Sequence, residues 1–275
     1  MTIGTALAIL KEIANTPVLL KEIYGDLAKP GVSQVGKALG TVLGLGNTLL
    51  LPLTLFSEKS RLIFEKNLEK FREELAAVPE DQVVSIPPEV GVPIVEKLTY
   101  VADEEISDLY VNLLAKASTI QTSALAHPSF ANIINNLSPD EAQIIKFLRE
   151  KPQVPFLDVN LTVNTASGEF LKILEVRTAV EGLVTLQYPG NCGAYFSNLS
   201  GLGIIDIRRD ISVAADAAYK ALEEVYGAEI RSIIFSPESQ RVNVLRGKIE
   251  VTAYGSLFIN ACSRRLPNIE EPKVD

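Results

Sequence analysis

A mainly α protein, with an all-α N-terminal region and a smaller α+β, winged-helix-like C-terminal region, is predicted for this 275-residue chain by three observations. Phe64, Leu68, Phe71 and Leu75 fall on one helical stripe within residues 57–78, and Lys and Glu cover the opposite face. Leu137-Ser138-Pro139-Asp140-Glu141 carries the signals of a helix start. Beyond about residue 150 the period shortens: Leu157, Val159, Leu161 and Val163 alternate with polar residues, the mark of a half-buried strand. These changes predict a helical domain over 1–150, a winged-helix-like α+β domain over 151–265 and a flexible tail over 266–275.

Taken in order, Thr16-Pro17 supplies a cap and a first-turn proline for a helix that stops near Lys29-Pro30-Gly31. A second helix starts around Ser33 and carries Gly36, Gly40 and Gly44 on one face, where a neighbouring helix can come close. Gly46-Asn47 and Pro52 break it, which predicts a bent or re-entrant element. The amphipathic helix over 57–78 follows, then a proline-punctuated stretch with a short extended piece at 83–86. Helices are expected over 94–100 and 104–117, the latter with Asp103, Glu104, Glu105 and Asp108 favouring its N-terminal dipole. After the helix at 138–150, Ala166-Ser167-Gly168 suggests a hairpin between two strands. Helices at 194–202, 214–226 and 255–263 and strands at 204–207 and 246–252 complete the reading.

Charge excludes some functions. The net charge of −8 is concentrated in residues 57–150, which carry −7, against +1 for 1–56 and −2 for 151–275. No segment is basic enough for non-specific nucleic-acid binding, which needs clustered Lys and Arg. Two cysteines in a chain of 47% hydrophobic residues read as reduced thiols, and the N-terminus lacks the basic stretch of a signal peptide. Both point to the cytoplasm. The 20 uncharged residues from Ala38 to Ser57 have the length of a membrane span, but Asn47, Pro52 and several glycines interrupt them. A peripheral association with the inner membrane, conditional on a trigger, is therefore part of the expectation.

No catalytic constellation stands out. His127 is the sole histidine, too little for a metal site or a triad; His127-Pro128 reads as a tight link between helices, its ring bonded to a backbone group. Gly44-Leu-Gly46 and Gly201-Leu-Gly203 lack the strand–turn–helix setting of a nucleotide loop. Asp103, Glu104, Glu105 and Asp108 read as a solvated helix start. The expectation is no cofactor, no metal, no evident small-molecule substrate and no catalytic residue. Helix 138–150, helix 194–202 and the strands at Ile204 and Lys248 follow a winged-helix order. The second of these helices contains no Arg or Lys, so protein contacts are favoured over DNA; Arg208 and Arg209 are the candidate nucleic-acid contacts in the alternative reading of a regulator.

Several of these residues, in sequence, resemble the Abi-alpha (abortive infection alpha) family of bacterial phage-defence-associated proteins. The marks are Tyr24-Gly25-Asp26, the 36–55 stretch, Glu105-Ile106-Ser107-Asp108-Leu109-Tyr110, and His127-Pro128-Ser129-Phe130 followed by Asn136-Leu137-Ser138-Pro139-Asp140-Glu141-Ala142. Asn198-Leu199, Leu202-Gly203-Ile204-Ile205 and Val251-Thr252 with Gly255, Phe258 and Ala261-Cys262 continue the pattern. The resemblance implies a role in abortive infection, in which an infected cell stops growing or dies before phage matures, and it brings no catalytic residues. His127, Pro128, Phe130, Ser138, Pro139 and Asp140 are expected to be structural. Gly36, Gly40, Gly44, Asn47 and Pro52 mark a segment for packing or membrane contact, with a protein partner or self-association as the working mode.

Overall fold

The computed structural model describes residues 33–40, 42, 57–164, 169–214, 216–232 and 241–267. Two units divide the chain: Met1–Asn135 with Arg264–Asp275, and Asn136–Ser263. Helix 139–150, counted with the N-terminal region in the sequence reading, falls inside the second unit. The helix expected from Pro17, together with Gly44, Asn47, Pro52 and the 166–168 turn, lies outside the described residues.

The first unit is helical among its described residues. It contains α1 (Ser33–Leu39), α2 (Glu58–Leu75), α3 (Pro88–Leu98), α4 (Glu104–Ala117) and α5 (Phe130–Asn135). Ser57 caps α2 by accepting from the Ser60 amide, and Asp103 caps α4 by accepting from the Ile106 amide. α2 buries Phe64, Phe71 and Leu75 of its predicted stripe, but Leu68 is only half-buried and Asn67 lies buried on the same face instead. Asn67 is satisfied there: Nδ2 donates to the Leu98 carbonyl at 2.9 Å and the Val101 carbonyl at 3.1 Å, closing the C-terminal end of α3. α4 is the central element, buried at ten of its positions, and packs against α2, α3 and α5. The extended piece expected at 83–86 forms a single bridge, Val83 to Thr119.

The second unit is built on one antiparallel sheet of β1 (Gln153–Asn164), β2 (Glu169–Arg177), β3 (Ile205–Arg208) and β4 (Arg241–Val251), in the order β2-β1-β4-β3. Its described helices are α6 (Pro139–Glu150), α7 (Val180–Leu183), α8 (Cys192–Gly201), α9 (Asp216–Ser232) and α10 (Ala253–Cys262). β1 and β4 pair in unbroken register from Gln153↔Glu250 to Thr162↔Arg241. β1 and β2 slip at Leu157/Val159, where Val176 takes a φ of 50° and its amide donates to the buried Asp158 carboxylate at 2.8 Å. α9 lies on the sheet through Tyr219 and Leu222 against Leu157, and the Tyr219 hydroxyl donates to the Gly247 carbonyl at 2.9 Å. Gly255 opens α10 where no side chain fits, since a Cβ there would sit 1.9 Å from the Ile204 carbonyl oxygen. The mainly α expectation therefore holds, with a curled four-stranded antiparallel sheet in the C-terminal half.

Candidate functional site

Two assemblies draw on residues singled out in the sequence, one in each unit. The first is a polar clamp around the start of α6. Ser138 Oγ accepts from the Glu141 amide at 3.3 Å, and Glu141 Oε2 accepts from the Ser138 amide at 2.7 Å, completing the capping box read from the sequence. The other Glu141 oxygen accepts from Asn198 Nδ2 on α8 at 2.7 Å, and the same amide group donates to the Asn136 carbonyl at 3.0 Å. Pro139 occupies the first turn, where its missing N–H costs nothing.

Asp140 is the centre of the clamp. It is 4% exposed, and its carboxylate accepts from the Gln187 amide at 2.7 Å, the Tyr188 amide at 2.8 Å and the Tyr195 hydroxyl at 2.8 Å. Burial is the largest single influence and raises its pKa, but the two amides and the hydroxyl together outweigh it and hold the carboxyl below its ordinary value. Burial, followed by the bond to Asp140, raises the pKa of Tyr195 in turn. The long-range partners 187, 188 and 195 were missed in the sequence; only the nearby cap was local enough to read.

His127-Pro128-Ser129-Phe130 forms the entry to α5 in the first unit. His127 Nδ1 accepts from the Ser129 amide at 3.2 Å and lies 2.6 Å from its hydroxyl, and the ring tilts against that of Phe130 at a 5.5 Å centroid distance. Phe130 is fully buried, and its amide donates to the His127 carbonyl at 3.0 Å. The imidazole is engaged in this turn, on its own side of the division between the two units.

The second assembly is the seat of α1, where the uncharged run begins. Val35, Ala38, Leu39 and Val42 are buried, while Gly36 and Gly40 are half-buried. The backbone is tied at Ala38, whose carbonyl accepts from the Ile86 amide at 2.9 Å. Two side chains add ties: Gln34 Nε2 donates to the Val78 carbonyl, and Lys37 Nζ to the Glu80 carbonyl at 2.9 Å. Val42 rests directly on Gly91 of α3; a Cβ at Gly91 would come within 2.3 Å of Val42 Cγ2. Buried apolar side chains and, among the described residues, these hydrogen bonds together hold the seat.

Arg208 and Arg209 are both committed to carboxylates. Arg208 pairs with Asp210 at 2.7 Å and Glu250 at 3.1 Å; Arg209 pairs with Asp158 at 2.6 Å and Glu175 at 3.6 Å. Arg208 in turn brings the exposed Asp210 carboxyl down to about 2. α8 presents no Arg or Lys, so nucleic-acid binding finds no support here. Both cysteines are buried, and burial with the Glu181 charge pushes the Cys192 thiol up to about 12, so it stays protonated at neutral pH. Among the described residues no three His, Cys, Asp or Glu side chains gather to hold a metal, and no helix is long and apolar enough to cross a membrane.

The profile of the abortive infection alpha family matches residues 63–262, which takes in the motifs from Glu105 to Cys262, while Tyr24-Gly25-Asp26 and the 36–55 stretch lie outside it. The chain belongs to the abortive infection alpha family. No curated protein matches it. A solved structure of an uncharacterized protein from the hydrocarbon-degrading marine bacterium Alcanivorax borkumensis SK2 is similar at 15% identity over 54% of this chain and 99% of its own, with a TM-score of 0.33.

Proposed function

We propose that this chain is a non-enzymatic antiphage defence protein, cytoplasmic or peripheral to the inner membrane, that acts by exposing the apolar run beginning in α1. Family membership supports the defence role. The observation that carries the mechanism is the α1 seat: the run starts from a short buried helix whose ties among the described residues are its apolar side chains, one backbone bond, two side-chain bonds and the contact of Val42 with Gly91. A trigger of infection unseats α1, and the 36–56 segment then engages a membrane, another copy or a protein partner. The second unit serves as a winged-helix-like packing module for protein contacts. The lack of basic residues on α8 supports protein contacts over a DNA-binding role.

The test is a phage challenge of cells carrying the intact chain or the Leu50→Asp variant, scored for phage yield and membrane potential. The intact chain is expected to cut phage yield while infected cells depolarise, and the charged variant to lose both effects. Equal protection by the variant would remove the apolar run from the mechanism.

A further inference from the structure

The C-terminal end of α2 supports two segments at once. On one side the Val78 carbonyl takes Gln34 of α1, and the Glu80 carbonyl takes Lys37. On the other, Arg265, Leu266 and Pro267 line a shallow open recess of about 170 Å³ together with Glu73, Glu74, Ala77 and Val78. This strap is tied by polar contacts. Lys116, on α4 and only 3% exposed, donates from Nζ to the Arg265 carbonyl at 2.7 Å. Glu74 accepts from the Leu266 amide at 3.3 Å and pairs with Arg265 Nε at 3.3 Å. The Arg265 side chain is 87% exposed, so that ion pair adds little, and the buried ammonium and Glu74 carry the attachment.

Polar ties suit a part that comes away. When the strap leaves, water replaces the carbonyl at Lys116 and the amide at Glu74, whereas an apolar clasp would leave bare hydrocarbon behind. α2 ends at Leu75, and the turn beyond it is held by the Val78 amide bond to the Leu75 carbonyl at 2.9 Å. Helix ends fray unless neighbours hold them. The strap bonds to Glu74 in the last turn of α2, the turn that leads to the Val78 and Glu80 carbonyls on which α1 is seated.

We propose that Arg264–Pro267 is a latch, locked by Lys116 and Glu74, that holds the last turn of α2 and thereby keeps α1 seated. The latch rests on the functional reading above, to which it adds the control element. A partner that draws the C-terminus away would release α1 without touching it.

Hydrogen exchange on the full-length protein tests the latch without phage, so it can fail or succeed independently of the defence reading. Lys116→Met keeps the packing volume but removes the donor, and Glu74→Ala removes the acceptor from the other side. Both variants are expected to speed exchange in peptides spanning 33–42 by about tenfold, the scale of one lost charge-assisted hydrogen bond, with α4 peptides over 106–114 unchanged. Unchanged exchange at 33–42 in both variants would overturn the latch. So would a uniform rise across the first unit, which would mark Lys116 and Glu74 as general supports.

Discussion

The clamp around α6 and the seat of α1 solve opposite problems. At the clamp, a buried carboxylate meets three donors from another part of its unit, and the capping box with Asn198 satisfies Ser138 and Glu141. Removing Asp140 leaves its three donors without their acceptor, which costs more than the net worth of a single bond. At the seat, a seven-residue helix is held by buried apolar side chains and, among the described residues, by three hydrogen bonds to its neighbours. The proposed exposure of an apolar run on demand would use both: a unit that stays folded and a helix that can leave its seat.

The largest effect that would break this contrast is at Asp140. Asp140→Ala leaves two amides and a hydroxyl without their acceptor and is expected to cost about 3 kcal/mol in urea denaturation. Because the folded pKa is depressed, the contribution of Asp140 is present above the ordinary carboxylate value of about 4 and is lost as pH falls below it. Acid titration of stability should therefore be steeper for the native chain than for the variant; parallel curves would show that the carboxylate is not the clamp's centre.

Next in size is Gly91→Val. Its side chain collides with Val42, and the seat is expected to open while the second unit is untouched, at a cost of about 2 kcal/mol to the first unit. Limited proteolysis should cut near 33–42 far faster, and expression should become toxic without phage. An unaltered cleavage pattern would mean that α1 is held by more than the contacts described. Ser138→Ala sharpens the comparison from the other side: it removes half a capping box and should cost about 1 kcal/mol by thermal or urea melts. At the small end, Lys66→Ala breaks an exposed pair with Glu104 at 2.6 Å, and no measurable shift in the urea midpoint is expected.

Legibility in the sequence followed locality. The capping box at 138–141 was readable because donor and acceptor are three residues apart, and the α2 stripe because its period is helical. Strand pairing of 153–164 with 169–177 was suggested by the alternation around Leu157–Val163. Asp140 was legible as a motif residue but not as the centre of a clamp, because its partners lie about fifty residues away and two of them are backbone amides that any residue type would supply. Lys116 carried no signal in the sequence, because burial against the carbonyl of Arg265 leaves no local pattern. Asn67 was likewise hidden, a polar residue on an apolar stripe whose use emerges only when α3 ends beside it. The acidic partners of Arg208 and Arg209 were partly visible in Asp210 and Glu250, while Asp158 had to be brought in by the sheet.

The account turns on whether α1 has to leave its seat for defence. Val42 Cβ and a Cβ built at Gly91 would stand 3.4 Å apart, close to the spacing a disulfide bridges. A Val42→Cys, Gly91→Cys chain, challenged with phage in cells of reducing and of disulfide-permitting cytoplasm, tests that need directly. Protection is expected in the reducing cells and its loss where the bridge has formed, with bridge formation verified by gel shift. Full protection by the bridged protein would contradict the account, since a helix that cannot leave would then be defending the cell.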